Sequence, residues 1–236
     1  MESGGSFISA TSHYGKVIFW WLGFALSIFL LLEEHYILST TLLISLAFLP
    51  LFFRFERSQI TTRGIVMLAI LAAVASVSRI PFAFIPNVQP ATFIIIIAGI
   101  VFGKESGFIV GALTALVSNI FLGQGPWTPW QMLAWGVIGF CAGWLKNTWF
   151  IKKLSGRIAF GLLSGFFFGW IMNLWVVLTV LQELQLAQIL FIYGSSFPFD
   201  LAHGLANIFF LVLFSKRMVK TLNRFKKKYG ILYSES

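Results

Sequence analysis

Asp200, His203 and Asn207 sit at i, i+3 and i+7 in an apolar stretch that follows Ser196-Phe-Pro198. On a helix this spacing puts all three on one face. Ionisable groups within a membrane segment face a cavity or a partner, because lipid exposure is costly. Such a face suits ligand binding, or proton coupling between the carboxyl group and the imidazole. The plainer alternative has Asp200 complementing a helix N-terminal dipole and His203 serving as a packing residue. Proton coupling is the weaker reading, since no second carboxylate lies at mid-membrane depth.

A second constellation is the loop Gly123-Gln-Gly-Pro-Trp-Thr-Pro-Trp-Gln131, with two each of Gly, Pro, Trp and Gln between apolar segments. Gly and Pro fix the backbone, and Trp offers a large amphipathic face at low entropic cost. Gln124, Trp127 and Trp130 then read as one wall of an apolar pocket carrying a few directed polar groups. Trp and Tyr also gather at membrane interfaces for no functional reason, so either indole alone would prove little. Residues 80–91, IPFAFIPNVQPA, hold three prolines and read as a loop or broken segment rather than a continuous helix. Arg79 before that loop is the natural anchor for an anionic or amide-bearing group, with interfacial snorkelling as its plainer role. Asn119, Asn173 and Asn207 are explained by interhelical hydrogen bonding. Asn173, beside Trp170 and Trp175, is the better candidate of the three for a place in a cavity.

The elements that must position these groups are membrane spans. The 236 residues are 58% hydrophobic and 11% charged, with a mean hydropathy of +0.87. Soluble domains carry roughly 25% charged residues, so this is an all-α polytopic membrane protein. Alternating ten-residue segments, which a barrel would need, are absent. Eight spans are expected at about 17–32, 36–53, 63–79, 92–102, 106–122, 129–145, 158–181 and 198–215. They divide the chain into an N-terminal arm (1–16), a transmembrane hairpin (17–54), a polar linker (55–62), a six-helix core (63–216) and a basic tail (217–236).

Charge placement orients the spans. The net charge is +9, and seven of the 17 basic residues lie in Lys216–Lys228, a juxtamembrane cluster facing anionic lipid rather than nucleic acid. With that tail in the cytoplasm, alternation through eight spans leaves only Arg79 of the 17 basic residues outside. The positive-inside rule therefore puts both termini inside and the Pro-, amide- and aromatic-rich loops, including Glu183–Ser196, outside. Cys141 is the only cysteine, which excludes a disulfide framework or a thiolate metal site. A P-loop, a nucleophile elbow and metal-ligand spacing are all missing, so no catalytic or metal residues are expected and any ATP-driven step needs another chain.

Ala69-Ile-Leu-Ala-Ala73, extended by Ala75 and Ser76, gives the third span a face of small residues that lets another helix approach closely. That helix could come from the same chain or from a partner. From Arg63 to the tail the sequence resembles the substrate-binding S components of energy-coupling factor (ECF) vitamin transporters. The resemblance is carried by Ala69-x-x-x-Ala73, Asn87-Val-Gln-Pro90, Gly99-Ile-Val-Phe-Gly-Lys-Glu-Ser-Gly107 with Gly111-Ala112, and Gly125-Pro-Trp-Thr-Pro-Trp-Gln-Met-Leu-Ala-Trp-Gly136.

It implies a six-helix core that captures a vitamin from outside and docks on a transmembrane coupling subunit driven by two cytoplasmic ATPases. The setting would be a bacterial cytoplasmic membrane, with no enzymatic activity or cofactor in this chain. Ala69 and Ala73 would form the docking face. Arg79, Asn87, Gln89, Gln124, Trp127, Trp130, Asn173, Tyr193, Asp200 and His203 are the expected ligand residues. The two N-terminal spans depart from the six-span pattern. Cobalamin is the first ligand expected, with folate, pantothenate, a lipid precursor and queuosine-type ligands open. A self-sufficient, proton-coupled transporter using Asp200 and His203 is the competing reading, and a structural or assembly protein a third.

Overall fold

The computed structural model describes residues 21–30, 60–180 and 185–230, with scattered positions between 33 and 46. These residues are helical, with no strand among them. The chain divides into two compact units, Met1–Pro50 and Leu51–Ser236.

In the first unit, helix α1 covers Trp21–Leu30. Ser27 and Ser39 tie it to the following segment: each hydroxyl donates to the other residue's carbonyl, at 3.2 and 2.8 Å. A Cβ on Gly23 would stand 2.9 Å from the Leu46 methyl groups. Much of the expected hairpin 17–54 and of the linker 55–62 lies outside the described residues.

The second unit is built from α2 (Thr62–Ser78), α3 (Ala91–Phe102), α4 (Lys104–Leu122), α5 (Thr128–Trp144), the single turn α6 (Trp149–Lys152), α7 (Leu154–Val180) and α8 (Leu186–Tyr229). Four helical stretches, Thr62–Phe82, Lys104–Leu122, Leu154–Thr179 and Leu186–Tyr229, are long and apolar enough to cross a membrane. The expected spans over 63–79, 92–102, 106–122 and 129–145 coincide with α2 to α5 within two residues. Residues 80–90 form a 3-10 turn at Ile80–Phe82 followed by further turns, as their prolines require.

Helix α3 is the centre. It has 12 residues, of which only Ile100 is not fully buried. At about 1.5 Å per residue it is roughly 18 Å long, too short for a core of about 30 Å. It need not cross alone, because α2, α4, α5, α7 and α8 all contact it. A helix apolar on every side belongs in such an interior position.

Glycines set how closely these helices approach. A Cβ on Gly99 or Gly107 would run into the Gly139 carbonyl oxygen, and one on Gly111 into the Trp135 carbonyl. On α7, Gly161, Gly165 and Gly169 recur every four residues. Cβ atoms there would strike Leu211, the Gly204 backbone and the Asp200 carboxylate of α8. In lipid, helix association rests on dispersion and polar contacts, and both grow as backbones approach.

The largest departure from expectation is α8. Pro198 does not begin the last span; it lies inside a helix of 44 residues, roughly 66 Å long. The segment Leu186–Ser196, expected as part of an outer loop, is helical, and so is the basic segment Lys216–Tyr229. Upstream of Pro198, the Ser195 and Ser196 hydroxyls donate to the carbonyls of Ile192 and Tyr193 at 3.0 and 3.1 Å. Such side-chain bonds help a helix in lipid to tolerate proline. The helix ends at Gly230, whose φ of +58° is the left-handed conformation that closes helices.

Ala69 and Ala73 point away from the core, on the exposed face of α2 with Ile65, Val66, Ile70 and Val74. The inward small residues of the same helix are Ala72, Ala75 and Ser76. The glycine contacts predict that Gly139→Val forces α5 off both α3 and α4. The overpacking cost should be about 2 kcal/mol or more, read as a lower unfolding midpoint in detergent by tryptophan fluorescence. Gly194→Val, where a side chain meets nothing within 4 Å, should leave the midpoint within a degree or two of the parent.

Candidate functional site

Arg79 caps the C-terminus of α2, directly before the proline-bearing turns. It is not a snorkelling side chain: 8% of it is exposed. Its Nε donates to Gln89 Oε1 at 2.9 Å, which folds the turn segment back onto α2. Its Nη1 donates to Ser118 Oγ and, at 3.1 Å, to Asn119 Oδ1, both on the last turn of α4. The guanidinium carbon lies 4.8 Å from the ring centre of Trp135 on α5, a cation–π distance.

Among the described residues no carboxylate pairs with Arg79; its hydrogen-bond acceptors are the neutral oxygens of Gln89, Ser118 and Asn119. A cation this buried, with only dipoles for company, favours any anion or carbonyl that can reach it.

Asn119 passes the network on. Its Nδ2 donates to Thr128 Oγ1 at 2.9 Å and to Gln131 Oε1 at 2.8 Å. Thr128 in turn donates to Gln124 Oε1 at 2.9 Å and accepts from the Gly125 amide at 3.3 Å. The Gly123–Gln131 loop is thereby fixed to α4 by its own amides. Trp127 folds its ring onto Gly125, where a Cβ would collide with it. The same ring meets Trp175 of α7 edge-on, with ring centres 5.9 Å apart. Trp130 is buried, and its Nε1 has no hydrogen-bond partner among the described residues.

Arg79, Asn87 and Gln89 line a cavity of about 280 Å³ with Phe82, Pro86 and Leu122. Asn87 holds a φ of +58°, a left-handed conformation that asparagine tolerates better than most residues. That geometry bends the turn segment over the cavity.

A second polar chain starts beneath Arg79. Trp135 Nε1 donates to Thr92 Oγ1 at 2.9 Å, and the same oxygen lies 2.7 Å from His203 Nε2. The indole N–H donates, while the imidazole tautomer sets which of Thr92 and His203 donates across the second contact. His203 is 1% exposed, and its Nδ1 has no hydrogen-bond partner among the described residues.

The remaining expected residues form a separate cluster between α7 and α8. Asn173 Nδ2 donates to Ser196 Oγ at 2.7 Å, and Ser196 Oγ lies 3.0 Å from Asp200 Oδ2. The Tyr193 hydroxyl donates to the Trp170 carbonyl at 3.3 Å. Asn207 Nδ2 donates to the Gly161 carbonyl at 3.0 Å, so this amide clamps α7 to α8. Asp200, His203 and Asn207 share one helical face, yet each engages a different partner. Among the described residues, no direct hydrogen bond joins Asp200 to His203.

The structure thus brings Arg79, Gln89 and Gln124 into one network, with Asn87 on the cavity that Arg79 and Gln89 line, while Trp127 packs on Gly125 and Trp175 and Trp130 is buried on α5. Asn173, Tyr193 and Asp200 belong to the second cluster, and His203 to the chain beneath Arg79. Sequence reasoning missed Ser118, Thr92 and Trp135. A signal for Trp135 was present: Thr128, Gln131 and Trp135 follow at i, i+3 and i+7 on α5.

Comparison with known proteins places this architecture. The chain is 28% identical over 88 residues to a UPF0397 protein of Vibrio atlanticus (strain LGP32), covering 35% of this chain and 48% of that one. It is likewise 28% identical over 90 residues to a UPF0397 protein of Aliivibrio fischeri (strain MJ11), covering 36% and 49%. It spans about half the length of the curated relatives it matches. No solved structure matches. The family model described as "ECF transporter, substrate-specific component" matches residues 63–222, the span from the first turn of α2 into the basic end of α8. A multi-pass helical chain matched over that whole core belongs to the family of substrate-specific components of ECF transporters.

Proposed function

We propose that this protein captures a vitamin at the outer face of a bacterial cytoplasmic membrane and delivers it by docking on the coupling subunit of an ATP-driven importer. The observation that carries the ligand reading is Arg79, a buried cation held only by neutral acceptors beside a cavity lined by amides. A ligand bringing an anionic group or several carbonyls would meet Arg79, Asn87 and Gln89 on one side, and Gln124, Trp127 and Trp130 on the other. Family membership supports the rest: a substrate-specific component works with a transmembrane partner and ATPase subunits rather than as an enzyme. Both termini then lie in the cytoplasm with the basic end of α8.

Cobalamin is the first ligand to test. It combines peripheral amides, a phosphodiester and broad apolar faces, which suits the amides, the cation and the indoles of this end. Ligand pockets usually measure about 300–1,000 Å³, so the cavity of about 280 Å³ must enlarge to take any vitamin of that size. The element able to move is the turn segment 80–90, held to Arg79 through Gln89.

Mass spectrometry of copurifying molecules, followed by a binding panel of cobalamin, folate, pantothenate and queuosine-type ligands, should yield one tight partner. Arg79→Gln and Trp127→Ala should each weaken it by at least about tenfold, or about 1.4 kcal/mol. Unchanged dissociation constants in both variants would remove the outer network from the site.

The docking part is tested separately. Ala69→Trp and Ala73→Trp, on the exposed face of α2, should leave equilibrium binding unchanged and abolish uptake in vesicles containing the complete transporter. Normal uptake by these variants would move the docking face elsewhere. Uptake by this chain alone, driven by a proton gradient and indifferent to ATP, would replace the importer reading with a secondary transporter.

A further inference from the structure

We propose that the lysine-lined hollow where α3 meets α4 holds the phosphate of an anionic phospholipid headgroup. The chain turns there at Gly103, whose φ of +100° is open to glycine and strained for other residues. Gly103 is also the N-cap of α4 and supplies no side-chain cap, and the positive end of the helix dipole lies at this turn.

Three cations from distant parts of the sequence converge on this turn. Lys104 and Lys146 line a cavity of about 250 Å³. Lys146 Nζ lies 3.7 Å from where a Cβ on Gly103 would stand. Lys226, from the far end of α8, reaches the Val101 carbonyl at 3.2 Å. One carboxylate tempers them: Glu105, on the same cavity, comes within 4.0 Å of Lys104.

Folding has therefore gathered more positive than negative charge at a helix N-terminus. An anion offsets the repulsion and accepts from the amides. Lipid is the source favoured by position. The hollow lies at one end of α4, a helix of membrane-crossing length, and so at headgroup depth. Trp144, which lines it, is 65% exposed, as an interfacial aromatic would be. The outward face of the adjoining α8 segment carries Lys216, Arg217, Lys220 and Arg224, all exposed, which enriches anionic lipid nearby.

The test is native mass spectrometry of the full-length protein released from detergent with phosphatidylglycerol, with phosphatidylcholine, or with inorganic phosphate alone. The parent should retain phosphatidylglycerol in preference to phosphatidylcholine. Lys104→Gln/Lys146→Gln should weaken that retention by about tenfold. Lys104→Arg/Lys146→Arg should keep it, and so should Lys152→Gln/Lys153→Gln, which removes equal charge from exposed positions outside the hollow.

Equal losses in the two glutamine pairs would reduce the effect to net charge and overturn the site. Undiminished retention in Lys104→Gln/Lys146→Gln would overturn it as well. Binding of inorganic phosphate without preference between the lipids would reject lipid as the source. None of these readouts involves the vitamin, so this inference stands or falls apart from the proposed transport role.

Discussion

Close backbone contact between α3, α4 and α5 is the constraint on which the rest of the molecule depends. In lipid, apolar side chains gain little by leaving their surroundings, so helices are held by dispersion and by polar contacts. Gly99, Gly107, Gly111 and Gly139 bring the backbones together until a Cβ at any of them would meet a carbonyl of the neighbouring helix. That contact makes α3 a fully enclosed helix despite its 12-residue length. With α3 enclosed, Thr92 at its first turn comes within hydrogen-bonding reach of Trp135 and His203. Trp135 in turn supplies the aromatic face under Arg79.

The polar interior is layered along this frame. Arg79 and the amides of Gln89, Asn119, Gln124 and Gln131 form one layer, whose hydrogen bonds tie the end of α2 to the turn segment and to α4, and α4 to α5. Below it, Thr92, Trp135 and His203 make a chain of three groups. Beside it, Asn173, Ser196 and Asp200 bind α7 to α8, with Asn207 and the glycine row of α7 continuing the seam. Asp200 lies against the Ser196 hydroxyl and His203 against the Thr92 hydroxyl, so the two groups that share a helical face have separate neighbours.

Much of this was legible in the residues. Pro81, Pro86 and Pro90 break the backbone between α2 and α3, because proline removes a donor and fixes φ. Apolar runs separated by short polar connectors gave α2 to α5 nearly to the residue, and the motifs around Ala69, Asn87, Gly99 and Trp127 were enough to point to the family. The boundaries of α8 were not legible. Pro198 and the polar Ser195-Ser196 pair suggest a break, yet their hydroxyls bond back to the helix and it continues. The basic residues after Ser215 read as a tail because charge marks exposure; Met218, Val219 and Leu222 among them pack onto the core and keep the segment helical.

The sequence by itself determined that this is a multi-pass helical membrane protein with polar, proline-punctuated loops and one isolated arginine before them. Those properties follow from composition and local backbone chemistry, which act over a few residues at a time. Only the tertiary structure decided that Arg79 is buried among Gln89, Ser118, Asn119 and Trp135 rather than snorkelling at the interface. It also decided that Ala69 and Ala73 face outward while Ala72 and Ala75 face in, and that Lys104, Lys146 and Lys226 converge. The physical reason is that these relations join residues on different helices. Local propensity and periodicity cannot encode them, and they arise only when the backbones have closed on one another.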